Sequence, residues 1–329
     1  MPASRVQIRA PLIRTPTISP GQYGVPGTDH RTGLRQHTTG AIFYVDPNAA
    51  GVSDQRDGTN PDAPLATIAA AVDLCQPYRG DQIRVMANGA WQYADSSSGY
   101  NTGIVETATL DVPGVSLVGV FPSSMPGVPW SPTASLDTCL TITAMDCSVE
   151  GFAFTSGAHA GANGIYAEWD GITLFADNVT IRNCLFDDSI DIAIQLEYAW
   201  YCEIAECFFE QCDTAGIYID AAGSGCAYCL FHDNWFQDCA TAAMSLAGLD
   251  DSFVEHNRIY NAAAQGGGAA TDTMIFTTGG SGNIVSQNVL SCILPAAAPG
   301  DYDDSNTASA TDAWISNFCM NGPSTTNPT

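Results

Sequence analysis

One pair of acids in this sequence has a spacing that could do chemistry. Glu197 follows the triplet Ile194-Gln-Leu196, and Asp220 follows the similar triplet Ile217-Tyr-Ile219. If the triplets stack on adjacent strands, the two carboxyls stand about 5 Å apart, the separation that retaining glycosidases use. Tyr198, Trp200, Tyr201 and Tyr218 lie close by in sequence, and aromatic rings suit the apolar face of a sugar. Glu197 and Asp220 are therefore candidates for a glycan-cleaving pair, and the four aromatics are candidates for glycan stacking. Against this, a chain with 35 acids stacks carboxylates by accident, so spacing alone assigns no catalytic residue.

Other chemistry-bearing residues give weaker patterns. The segment DYDDSNTASATD, residues 301 to 312, has the oxygen side chains of a calcium loop, with Asp301, Asp303 and Asp312 as candidate ligands. Asn306 stands where such a loop needs glycine, no helices flank it, and a solvated acidic loop is the competing expectation. The loop holding Asp46, Asp54 and Asp57 calls for the same caution. Cysteines pair in register as Cys184 with Cys207, Cys202 with Cys229, and Cys212 with Cys239. Parallel stacking is poor disulfide geometry, and Cys226-x-x-Cys229 alone cannot make a four-ligand zinc site, so ladders of buried thiols are expected. The histidines form no triad or metal spacing; His232 and His256 fall near equivalent positions and read as surface or turn residues.

The elements that must position these residues repeat. NVTIRNCLF, YCEIAECFF, YCLFHDNWF, SFVEHNRIY and NIVSQNVLS superpose with Cys184, Cys207, Asn234, Asn257 and Asn288 as equivalents, at intervals of 23, 27, 23 and 31. A second column runs through the Ile194, Ile217, Met244 and Met274 triplets at 23, 27 and 30. Two columns drifting together imply stacked coils with insertions confined to turns. Each coil is too thin to bury its own apolar side chains, and stacking at about 4.8 Å between strands solves that problem. A parallel β-helix follows. The recurring asparagines suit turns, since Asn tolerates the left-handed region and its amide can bond along the stack.

Four segments are expected. Residues 1–40 are an extended arm with five prolines; residues 41–80 are a capping strand, loop and helix, the helix opening near Pro64 and recurring at Ile68, Val72 and Cys75. Residues 81–300 are the β-helix, and 301–329 a C-terminal cap or tail.

Charge divides along the same boundaries. Arg5, Arg9, Arg14, Arg31 and Arg35 against Asp29 give the arm +4, so with a net charge of −25 the rest carries −29. There is no lysine. So acidic a body repels nucleic acid and anionic lipid, no run reaches the span of a bilayer, and the N-terminus lacks the apolar core of a signal peptide.

The stretch YVDPNAAGVSDQRDGTNPDAPLATIAAAVDLC, followed by repeated V-x-I-x-N-x-x-F coils, resembles the pectate-lyase-like right-handed β-helix superfamily, including bacteriophage tailspikes. The resemblance implies an all-β, single-stranded right-handed solenoid whose opening helix, over 65–75, caps the stack. It also implies a homotrimer. Pectate lyases of this superfamily use a basic residue beside a calcium-binding acid cluster, yet after residue 80 only Arg84, Arg182 and Arg258 remain, with no motif joining them to acids. The expectation is a non-enzymatic structural protein of a virus particle, a capsid decoration, spike or fibre anchored through its five arm arginines to other virion proteins. It would need no cofactor unless calcium, and would sit on the virion surface or outside the cell. The alternative is a tailspike-like polysaccharide depolymerase, or a protein that attaches to a host-cell glycan without cleaving it.

Overall fold

The structure is a computed structural model describing residues 40–86, 103–121, 127–157, 159–172, 175–187, 190–220, 225–261, 274–276, 280–292, 302–304 and 312–319. The five arm arginines lie outside the described residues. Every strand pairing among the described residues is parallel, and the long sheets hold ten, nine and eight strands. One coil shows the path: Thr180–Arg182 in the first sheet, Leu185–Asp187 in the second and Ile192–Leu196 in the third. The chain then returns to the first sheet at Glu203–Ala205, beside its starting strand. This is a parallel β-helix.

Both tracked columns are native register. Leu185 faces Phe208, Phe208 faces Trp235, Trp235 faces Arg258 and Arg258 faces Val289, while Ile194, Ile217, Met244 and Met274 pair in series. Alternation along each strand sends one set of side chains inward. In the second sheet that set is Trp130, Phe154, Phe186, Phe209 and Phe236, whose rings stack at centroid distances of 5.4, 5.0, 5.0 and 4.4 Å. All five rings are buried. Each contributes about 1.5–3 kcal/mol of burial, which only stacking makes available.

The corners explain the asparagines and cysteines together. Between the first and second sheets the chain turns on one left-handed residue, Asn183, Glu206, Asp233, His256, Gln287 or Ser316, at φ from 49° to 59°. The residue after it points inward. There, Cys207 N–H donates to Asn234 Oδ1 at 3.0 Å, Asn234 N–H to Asn257 Oδ1 at 3.1 Å, Asn257 N–H to Asn288 Oδ1 at 2.9 Å and Asn288 N–H to Asn317 Oδ1 at 3.0 Å. The recurring asparagines thus do bond along the stack, but the left-handed position belongs to the residue before them. At the corner between third and first sheets the same job passes from thiol to polar side chain. Cys229 N–H donates to Ser252 Oγ at 2.9 Å, Ser252 N–H to Asn283 Oδ1 at 3.1 Å and Asn283 N–H to Asp312 Oδ1 at 2.8 Å. Where the acceptor is sulfur, Cys207 takes the Cys184 N–H and Cys229 takes the Cys202 N–H. The ten described cysteine side chains are buried and free, and burial pushes the Cys226 thiol up to about 12.

Three boundaries differ from expectation. The stack extends beyond 81–300, because Ile42–Val45 opens the ten-stranded sheet, and Tyr302–Asp304, Ala313–Ile315 and Phe318–Cys319 each pair with a preceding coil. The helix, α1, spans only Ile68–Val72 and not the region from Pro64. It starts there because Asp54 Oδ1 holds the Ala66 and Thr67 N–H groups at 2.7 and 3.0 Å, which leaves Thr67 as N-cap, accepting from Ala70 N–H at 3.1 Å. Glu106 closes the cap, its two oxygens each accepting at 2.9 Å from Ile68 and Ala69. Ile68, Ala71 and Val72 are buried at the N-terminal end of the stack, where a capping helix was expected.

Candidate functional site

The third sheet carries an outward column in which Tyr166 faces Gln195 and Gln195 faces Tyr218. Ala167, Leu196 and Ile219 follow in register as buried residues, and the next position of each coil is acidic: Glu168, Glu197 and Asp220. Glu197 and Asp220 therefore sit on adjacent coils as their triplets predicted. What the triplets did not reveal is the coil before. Tyr166 donates its hydroxyl proton to Glu197 Oε2, and the Glu168 carboxylate acts on the same phenol.

These groups shift one another. Burial raises the Glu168 carboxyl above its ordinary value; the Tyr166 hydroxyl opposes that, and the charge of Glu197 adds to it. Burial, with the carboxylates, likewise pushes the Tyr166 phenol up. Tyr218 is raised by burial and by Asp220. The third sheet contains no arginine or lysine to relieve the charge.

Beside the acids the chain turns through an aromatic wall. Trp169 stacks on Phe175 at 5.6 Å with ring planes 9° apart, and meets Tyr198 edge-on at 6.0 Å. Trp169 and Phe175 are each 38% exposed, although large aromatics normally bury far more. Tyr198 and Tyr218 thus adjoin the acids. Trp200 and Tyr201 stand further along, at the corner leading to the first sheet. Trp200 Nε1 donates to Gly225 O at 3.2 Å, and Tyr201, in a left-handed turn, stacks on Tyr228 at 5.1 Å.

Sequence reasoning passed over Tyr166, Glu168, Trp169 and Phe175. A signal existed: Tyr166-Ala-Glu168 repeats the aromatic-x-acid pattern of Tyr218-Ile-Asp220 one coil apart from Glu197. It also missed an ion cluster on the first sheet, where Glu203 meets Arg182 Nη2 and His232 Nε2, the latter at 3.0 Å, while His232 Nδ1 meets Asp233 at 2.9 Å. Burial works to raise Glu203, but its bonds to His232 and Arg182 outweigh it and hold the carboxyl below its usual range. Burial likewise works to lower His232, and Asp233 and Glu203 raise it overall. The two histidines are offset by one residue from equivalence, since His232 pairs with Glu255 and His256 is the turn.

Of the calcium candidates, Asp301 lies outside the described residues, and Asp303 sits not in a loop but in the strand Tyr302–Asp304, opposite Ile275. Asp312 uses Oδ1 as the acceptor for the Asn283 N–H. Among the described residues no three His, Cys, Asp or Glu side chains gather as a metal site, and no helix is long and apolar enough to cross a membrane.

Residues 140–290 match the family described as "Right handed beta helix region". No curated protein matches the chain. Among solved structures, the alginate lyase of a Paenibacillus species superposes with a TM-score of 0.52 at 12% identity, covering 77% of this chain and 94% of that one. The pectin methylesterase of Aspergillus niger superposes with a TM-score of 0.50 at 15% identity and 87% coverage of each. The Dettilon tailspike protein matches at a TM-score of 0.37 and 10% identity, over 83% of this chain and 68% of its own, too distant to carry an argument. At these identities the likeness shows fold and nothing finer.

Proposed function

We propose that this right-handed parallel β-helix is a non-enzymatic, glycan-binding rod of a virus particle. The observation that carries the binding is the half-exposed wall of Trp169, Phe175 and Tyr198 alongside Tyr166 and Tyr218. Fixed aromatic rings on a rigid scaffold offer stacking area with little ordering cost, which suits recognition of a polyhydroxylated chain. The charge split of +4 against −29 supports the rest: a basic arm docks on the parent particle while the acidic coils stay in solvent. The rod would be a homotrimer attached at the virion surface, as capsid decoration, spike or fibre.

Two assays test this. Removing residues 1–40 should abolish incorporation into the parent particle while leaving the β-sheet circular dichroism intact; normal incorporation would refute the anchor. Trp169→Ala should weaken binding to a polysaccharide panel about tenfold or more, as truncating a central aromatic anchor does, and unchanged binding would refute the wall.

One observation favours a second reading, cleavage. Burial raises the Glu168 carboxyl above its ordinary value, and Glu197 stands on the next coil, bonded by Tyr166; a raised acid beside a second carboxyl is an arrangement that glycoside hydrolysis uses. On that reading Glu168 is the acid and Glu197 its partner, in place of Asp220. Reducing ends released from the panel, lost in Glu168→Gln, would establish it.

A further inference from the structure

The surface beside Trp169 sets aromatic rings next to carboxylates. From the geometry we infer that it selects glycans without carboxylate or sulfate, uncharged chains laid along the stack axis. This deepens the proposed glycan binding and rests on it.

The wall and its neighbours span three consecutive coils. Tyr166, Glu168, Trp169 and Phe175 belong to one, Glu197 and Tyr198 to the next, and Tyr218 and Asp220 to the third. Neighbouring strands lie about 4.8 Å apart, close to the length of one sugar residue in an extended glycan. A ligand running along the axis therefore meets one acid and one aromatic or amide side chain per coil. Carboxylates accept hydrogen bonds from sugar hydroxyls, and the aromatic rings take the C–H faces. A ligand carboxylate in the same place would face like charge, with no cation among the described residues of this sheet to answer it. The third sheet has no basic residue, and Arg182 and Arg258, the arginines of the neighbouring coils, lie on the first and second sheets, the former already engaged by Glu203. Among the described residues this surface therefore offers no basic side chain to neutralise an acidic sugar.

The test is calorimetric titration of the full chain with tetramers of cellulose, chitin, galacturonate and mannuronate at pH 7 in low salt. A neutral tetramer should bind at least about tenfold more tightly than either uronate, with the gap narrowing as salt screens the acids. In Glu168→Gln/Glu197→Gln, the ratio of uronate to neutral dissociation constants should fall by about tenfold, with circular dichroism confirming the fold. Uronates binding as tightly as neutral tetramers would overturn the selectivity and leave the glycan reading standing. No binding of any tetramer would overturn both.

Discussion

Replacing Asn257 by alanine should be among the most damaging single changes to this protein. Asn257 is fully buried. Its Oδ1 accepts from the Asn234 backbone N–H at 3.1 Å and from Asn234 Nδ2 at 3.0 Å, while its Nδ2 donates to Phe231 O at 2.9 Å and to Asn288 Oδ1 at 3.0 Å. Alanine removes all four. Each bond is worth about 1 kcal/mol net, and the stranded Asn234 N–H adds about 1–3 kcal/mol because no water reaches it, so the expected loss is about 5–7 kcal/mol. Asn317→Ala, at the half-buried end of the ladder, should cost about half as much, since solvent can replace its partners. Asn257→Cys should recover about 1–2 kcal/mol of the alanine loss, because the Cys207 sulfur performs the same acceptance two corners earlier. Urea unfolding followed by far-ultraviolet circular dichroism, with slopes compared to confirm a shared transition, measures each. A loss under about 1.5 kcal/mol for Asn257→Ala at unchanged slope, or equal losses at 257 and 317, would refute the ladder as a source of stability.

Three further outcomes follow from the structure. Phe209→Ala opens a hole between rings 5.0 and 4.4 Å away and should destabilise the stack by about 3–5 kcal/mol, read by the same melts. His232 has a raised folded value, so the stability it supplies through Glu203 and Asp233 is full below its unfolded value near 6.5 and is lost as pH rises through the folded one; in His232→Gln, melts between pH 6 and 8 should lose that component, and an unaltered profile would contradict it. Of the 12 cysteines, the ten described ones should resist a thiol reagent in the native state and all 12 should react in denaturant, so that more than two fast-reacting thiols would show the corners to be open.

The sequence made the stack legible because apolar side chains can be buried only by the coil above or below. Ile194, Ile217 and Met244 had to stay in register, and insertions had to go to the corners, so repetition survived as a readable column. The ladder was half legible. Asn234, Asn257 and Asn288 stood out, but Cys207 shares their job through its sulfur, and composition alone reads thiols as packing. The site was less legible still. Glu197 and Asp220 were found through their triplets, whereas Glu168 acquires its meaning only from Tyr166 and from Glu197 on the next coil. Trp169 and Phe175 meet through a loop whose length no periodicity records, and the Arg182–Glu203–His232 cluster joins three coils at outward positions that no hydrophobic pattern constrains.

The corner acceptors give the rod a direction. At each step the side chain of a later coil receives the N–H of the coil before it, from Cys207 through Asn317. A coil can thus be duplicated or lost as a whole unit with one rule to satisfy: its corner must bring oxygen or sulfur to its predecessor. Asparagine, serine, aspartate and cysteine all meet that rule here. Growth of the lineage toward longer or shorter rods is open to small mutations at the far end, while a missing acceptor within the stack is felt at once by the coil before it.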